Sequence, residues 1–89
     1  MTLEKTPRLR RGFRFQWEPV QQSHVLLYPE GMVKLNGSAG AILAEVDGVR
    51  PIHEIIHALE QQFPDAGPLA DDVEAFLAEA VQQQWIEWS

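Results

Sequence analysis

The amino-acid sequence predicts an α+β domain in which a three-stranded antiparallel sheet is followed by three helices. Up to Leu35 the apolar residues come in short strand-like runs, parted by turn chemistry at Glu18-Pro19 and at Pro29-Glu30-Gly31. From Asn36 onward they recur at the three-and-four spacing of helices. The period changes at a single place, so strands and helices are segregated along the chain, as in an α+β fold and unlike alternating βα units.

Taken in order, Thr6 to Gly12 has little periodicity and contains Pro7, which predicts an extended lead-in. Phe13 to Trp17 alternates apolar and polar residues with its aromatics on one face, the pattern of a half-buried strand. A polar connection, Glu18 to Ser23, is broken by Pro19 and leads into His24 to Tyr28, a continuous run rich in strand formers. Pro29 supplies a fixed φ and Gly31 the freedom to take a positive one, so a turn follows, and Met32 to Leu35 forms the third strand. No further strand is predicted beside it. Its unpaired N–H and C=O groups either template another strand or must be protected from doing so.

Asn36 or Ser38 can cap the first helix, whose apolar positions are Ala39, Ile42, Leu43 and Val46. Gly37 and Gly40 lower its intrinsic propensity, so packing must hold it, and Asp47-Gly48 ends it. The second helix opens near Pro51 and runs to about Phe63, with Ile52, Ile55, Ile56, Leu59 and Phe63 on one stripe. Pro64 to Gly67 stops it. A third helix starts around Pro68 to Ala70, where Asp71 and Asp72 favour the positive end of the helix dipole, and buries Val73, Phe76, Leu77, Ala80 and Val81. Trp85 to Trp88 closes the chain. Two helices joined by a short glycine-containing turn resemble a helix-turn-helix and the hairpin resembles a wing, so the class is winged-helix-like.

Eighty-nine residues suffice for one core but not for separate substrate and cofactor domains. The absence of cysteine excludes disulfides, thiolate metal sites and a cysteine nucleophile. No apolar stretch approaches the roughly 20 residues that span a bilayer, and the charged N-terminus is no signal peptide, so a cytoplasmic protein without membrane contact is expected. The net charge of −6 divides unevenly: residues 1–14 carry +4 and the remainder −10. An acidic body argues against a nucleic-acid surface, since phosphate contacts supply most of that affinity. Residues 1–12 read as an extended basic arm that is solvated, docks an acidic partner or folds back on its own domain, and residues 13–89 read as the single winged-helix-like domain.

His53-Glu54-Ile55-Ile56-His57 matches the H-E-x-x-H pattern of zinc metalloproteases. A catalytic zinc site needs a third ligand and a cleft, and the remaining histidine, His24, lies on a strand. At about 100° per residue His53 and His57 fall at the flank of the buried stripe and Glu54 nearly opposite, which makes all three helix-surface residues. Asp71 and Asp72, adjacent on a helix, are poorly placed as an acid–base pair. There is no G-x-S-x-G elbow and no phosphate loop. No catalytic residue, metal or cofactor is expected. Lys34, one of two basic residues in the acidic body, sits on the open edge, where it either blocks aggregation or contacts an acidic peptide pairing there.

Pro7-x-Leu9-x-x-Gly12, Phe15-x-Trp17-Glu18, the run from His24 to Asn36, Ile42-Leu43, Asp47-Gly48 and Trp85-Ile86 resemble the PqqD family over nearly the whole chain. The LLYPEGMVKLN segment is the specific part; Gln84 stands where the resemblance implies glycine. The resemblance implies a bacterial winged-helix-like domain like those that recognise ribosomally made, later modified peptides. It implies a chaperone that binds the precursor peptide PqqA and presents it to the radical S-adenosylmethionine enzyme PqqE in pyrroloquinoline quinone (PQQ) biosynthesis, without catalysis of its own. It further implies that the peptide adds as a strand beside the third strand, at Met32, Val33, Lys34 and Leu35, in a groove walled by Val73, Phe76, Leu77 and Ala80. A winged-helix nucleic-acid binder is the alternative from another class. The open edge and the Glu18-Pro19 hinge would also permit strand exchange in a homodimer.

Overall fold

The structure is a computed structural model and describes residues 3–89; the first two residues of the arm lie outside the described residues. Its elements are β1 (Pro7–Leu9), β2 (Arg14–Glu18), β3 (Ser23–Tyr28), β4 (Gly31–Lys34), α1 (Gly37–Ala44), α2 (Ile52–Gln62), α3 (Ala70–Gln82) and β5 (Ile86–Trp88), with a 3-10 turn at Pro64–Ala66. The sheet predicted from the sequence is β2-β3-β4, antiparallel throughout, and the three helices follow it. The fold is α+β and winged-helix-like.

Register assigns the two faces of that sheet. Leu26 stands opposite Phe15 on one side and Val33 on the other, and this face meets the helices. Leu26 and Leu35 join Leu43, Ile52, Ile55, Leu59, Val73, Leu77 and Ile86 in one buried core. The opposite face carries Arg14, Gln16, Met32 and Lys34 around the buried Val25. Phe63, expected on the buried stripe of α2, is 43% exposed, because the helix ends at Gln62 and the Pro64–Ala66 turn carries the chain off the core. The β3–β4 turn uses the fixed φ of Pro29 but not a left-handed Gly31, which enters β4 as its first residue.

Asn36 is the N-cap of α1, its Oδ1 accepting the Ala39 N–H at 2.8 Å. The weak helix formers of α1 have a packing reason in one case. A Cβ on Gly40 would stand 2.9 Å from His24 Nδ1, so only glycine lets α1 approach β3 this closely. The His24 ring is itself held, stacked on Phe15 at 4.7 Å and meeting the edge of Trp17 at 5.1 Å. At the other end of the helical region, α3 closes with the Trp85 N–H donated to Ala80 and the Gln84 N–H to Val81, the Schellman pattern. That pattern needs a left-handed residue just past the helix, and Gln84 takes it with φ 65°.

A second sheet, β1-β5, has no counterpart in the sequence reading. Pro7, Arg8 and Leu9 pair antiparallel with Trp88, Glu87 and Ile86. Arg8 and Glu87 form an ion pair at 2.7 Å across it, and Lys5 Nζ lies 5.2 Å from the Trp88 ring centroid. Upstream, the Leu3 and Lys5 carbonyls accept the His53 and Ile52 N–H groups, satisfying the first turn of α2 where Pro51 has no side chain to cap it. Of the three states open to the arm, residues 3–9 take the folded-back one, and a division between residues 12 and 13 runs through the ladder that they share with β5.

Candidate functional site

β4 is one of the two edge strands of its sheet, with β3 on one side and no strand on the other. The Leu35 N–H is donated to the His24 carbonyl at 3.0 Å, which sets the phase of the ladder. Antiparallel alternation then makes Val33 with Leu26, and Gly31 with Tyr28, the hydrogen-bonded pairs. The N–H and C=O groups of Met32 and Lys34 therefore point outward. Side chains alternate in the complementary sense: Val33 and Leu35 turn toward the core, while Met32 and Lys34 lie on the exposed face.

Beside this edge runs a groove of about 880 Å3, within the usual range of roughly 300–1,000 Å3 for ligand pockets. Its floor consists of buried apolar residues, Leu35, Ala39, Ile42, Leu59 and Val73. One wall is α3, which contributes Asp72, Phe76 and Glu79 from one face at i, i+4 and i+7. Phe63, Leu69 and Trp85, all partly exposed, complete the lining. Lys34 is at the strand rim, and Asp72 and Glu79 flank the apolar middle of the helical wall.

Four of the residues expected at a peptide site, Lys34, Leu35, Val73 and Phe76, are brought together in this groove. Met32 and Val33 sit on the same edge strand but do not line it. Leu77 and Ala80 are fully buried behind α3 and face the core. The sequence reading missed Asp72, Ala75 and Glu79 on the helical wall and Ala39 and Ile42 beneath it. The signal for the first set was available: they flank the buried stripe of α3 on the side that carries Phe76.

The other candidates lie elsewhere. His53, Glu54 and His57 are exposed on α2, and among the described residues no group of three His, Asp or Glu side chains could hold a metal ion. Asp47 and Arg50 lock the loop after α1. The Asp47 carboxylate accepts the Arg50 and Val49 backbone N–H groups, which hold its pKa below the ordinary value, while a hydrogen bond to Glu45 raises that of Arg50. Among the described residues no helix is long and apolar enough to cross a membrane.

These features define a class: a winged-helix-like domain in which the β4 edge of the sheet is set beside an apolar groove under the last helix. Comparison with known proteins makes the class particular. The chain belongs to the PqqD family, whose model, Coenzyme PQQ synthesis protein D (PqqD), matches residues 23–86. A PqqA binding protein of Azotobacter vinelandii is 59% identical over 86 residues, covering 97% of this chain and 94% of that one. One from Pseudomonas aeruginosa is 57% identical with the same coverage. Among solved structures, the chain is similar to the PqqD truncation of Methylobacterium extorquens PqqCD, described as a functional, stand-alone recognition element for ribosomally synthesized and post-translationally modified peptides. That likeness has 33% identity, a TM-score of 0.79, and covers 98% of this chain and 94% of the other.

Proposed function

We propose that this chain is a non-enzymatic peptide chaperone of PQQ biosynthesis in the bacterial cytoplasm, which binds PqqA as an added strand along β4 and presents it to PqqE. The observation that carries the reading is the outward ladder of Met32 and Lys34 lying directly beside an apolar groove. Main-chain hydrogen bonds to such an edge place a peptide in register, and side-chain pockets choose it. Relatives at 55–59% identity are called PqqA binding proteins, which supports PqqA as the occupant.

Winged-helix binding of nucleic acid is disfavoured by the second helix of the helix-turn-helix-like pair. In that role α3 would enter the groove of the duplex, yet it carries Asp71, Asp72, Glu74 and Glu79 and no basic residue. The test is a titration of the 15N-labelled chain with synthetic PqqA. The Met32 and Lys34 amides are expected to shift and to gain protection from hydrogen exchange, with further shifts along α3 at Asp72 to Glu79. Shifts confined to β2, or none at saturation, would overturn strand addition at β4.

A further inference from the structure

Strand addition, if it is the binding mode, fixes more than the location of the peptide. A residue directly across from Lys34 shares its face of the sheet, and the residues on either side of it face the opposite way. Those two neighbours stand across from Val33 and Leu35 and so turn to the core side of the sheet, where Leu35 lines the groove with Ile42 and Phe76 and Val33 adjoins it two residues earlier on the strand. This holds whichever direction the peptide runs. The face that receives the middle residue carries one cation at this edge, Lys34, which forms no ion pair among the described residues; Arg14 lies on the same face at the far strand, in the Arg14, Leu27, Met32 row. The carboxylate of that face, Glu18, lies on β2 one row to the other side of the Gln16, Val25, Lys34 row, two strands from the β4 edge, and accepts the Val20 N–H.

We propose that the groove selects an extended apolar–acidic–apolar segment, whose outer two side chains enter it opposite Val33 and Leu35 and whose middle carboxylate pairs with Lys34. The proposal rests on strand addition at β4 and adds a register and a selecting residue to it. The helical wall imposes the complementary exclusion. Asp72 and Glu79 repel an acidic side chain aimed into the groove, so the carboxylate is accepted only on the outer face.

A charge swap tests this. Each acidic residue of synthetic PqqA is replaced in turn by lysine, and every peptide is titrated by fluorescence anisotropy against the unaltered chain and against Lys34→Glu, with circular dichroism confirming that the variant is folded. One acidic position, flanked on both sides by apolar residues, is expected to lose about three- to tenfold in affinity for the unaltered chain when reversed, the sum of an attraction lost and a repulsion gained. The same reversed peptide should bind Lys34→Glu more tightly than unaltered PqqA does. PqqA binding with no such reciprocal position would overturn the Lys34 assignment and leave strand addition standing. No binding of PqqA by the unaltered chain would overturn strand addition itself.

Discussion

Replacing single residues of β4 by proline separates the strand's internal bonds from its outward ones. Proline removes one N–H and is tolerated on a sheet edge where that N–H faces solvent. At Met32 the lost donor points outward. At Val33 it is donated to Leu26, a fully buried residue of the central strand, whose carbonyl would be left without a partner. An orphaned buried acceptor costs about 1–3 kcal/mol. For a domain of this size each kcal/mol lowers the Tm by about 4–8 °C, so Val33→Pro should melt roughly 4–24 °C below Val33→Ala. Met32→Pro should melt within a few degrees of Met32→Ala. Affinity for PqqA should show the reverse order of interest: Met32→Pro binds about fivefold more weakly than Met32→Ala, the equivalent of one hydrogen bond of about 1 kcal/mol. Thermal denaturation followed by circular dichroism and calorimetric titration supply both numbers. Equal destabilisation at the two positions would refute the ladder phase. Equal PqqA affinity of Met32→Pro and Met32→Ala would refute the outward edge as the binding element.

Three further outcomes are expected. Gln84→Gly should raise the Tm by about 4–8 °C, because relieving the left-handed conformation of a non-glycine residue recovers about 1 kcal/mol, and an unchanged Tm would count against strain at φ 65°. Gly40→Ala should be destabilising by about 1 kcal/mol despite alanine's better helix propensity, since overpacking against a close-packed neighbour costs about 1–3 kcal/mol. Adding His24→Ala to it should turn the Gly40→Ala change stabilising, and additive losses in that double variant would sink the contact argument. Below about pH 4 the chain should lose stability more steeply than its Asp47→Asn variant. The folded-state pKa of Asp47 is lowered from 3.8, so its contribution is present above that value and is lost as pH falls through the lowered one. Matching acid limbs in denaturant titrations would show that its hydrogen bonds from Arg50 and Val49 carry no linkage.

The elements that were legible in the sequence are those whose partners are near in the chain. β3 and β4 meet across a two-residue turn, and α2 and α3 carry their own apolar stripes, so period and turn chemistry located all four within a residue or two. β1 and β5 were not legible because each has three residues and the rungs of their ladder join positions about 80 apart. Phe63 shows the same limit at the site. Its position extends the α2 stripe, but the proline after it turns the chain and leaves the ring at the rim of the groove. The place of Gln84 was visible only as a departure from the glycine that the family resemblance implied. The structure supplies the reason glycine suits that position, since the Schellman closure of α3 demands a left-handed residue there.

In the proposed mode, binding is divided between edge and groove. Met32 and Lys34 offer two outward N–H and two outward C=O groups, and at about 1 kcal/mol net each these supply roughly 4 kcal/mol. Micromolar binding requires about 8 kcal/mol after a cost of at least roughly 4 kcal/mol for lost translational and rotational freedom. The backbone ladder thus falls short by some 8 kcal/mol, and burial of apolar side chains between β4 and α3 must provide the difference. At about 25 cal/mol per Å2 that corresponds to roughly 300 Å2 of apolar surface, the area of two to three large side chains. Two residues of an added strand, entering opposite Val33 and Leu35, and one more toward Phe63 or Leu69 meet that requirement. In the proposed mode, discrimination among peptides is shared by the walls, at Phe76, Asp72 and Glu79, and by Lys34 on the outer face, while the backbone of the edge strand fixes where a peptide lies. For that reason a sequence reading anchored on the hairpin singled out the edge strand and yet missed the acidic positions on the helical wall of the groove beside it.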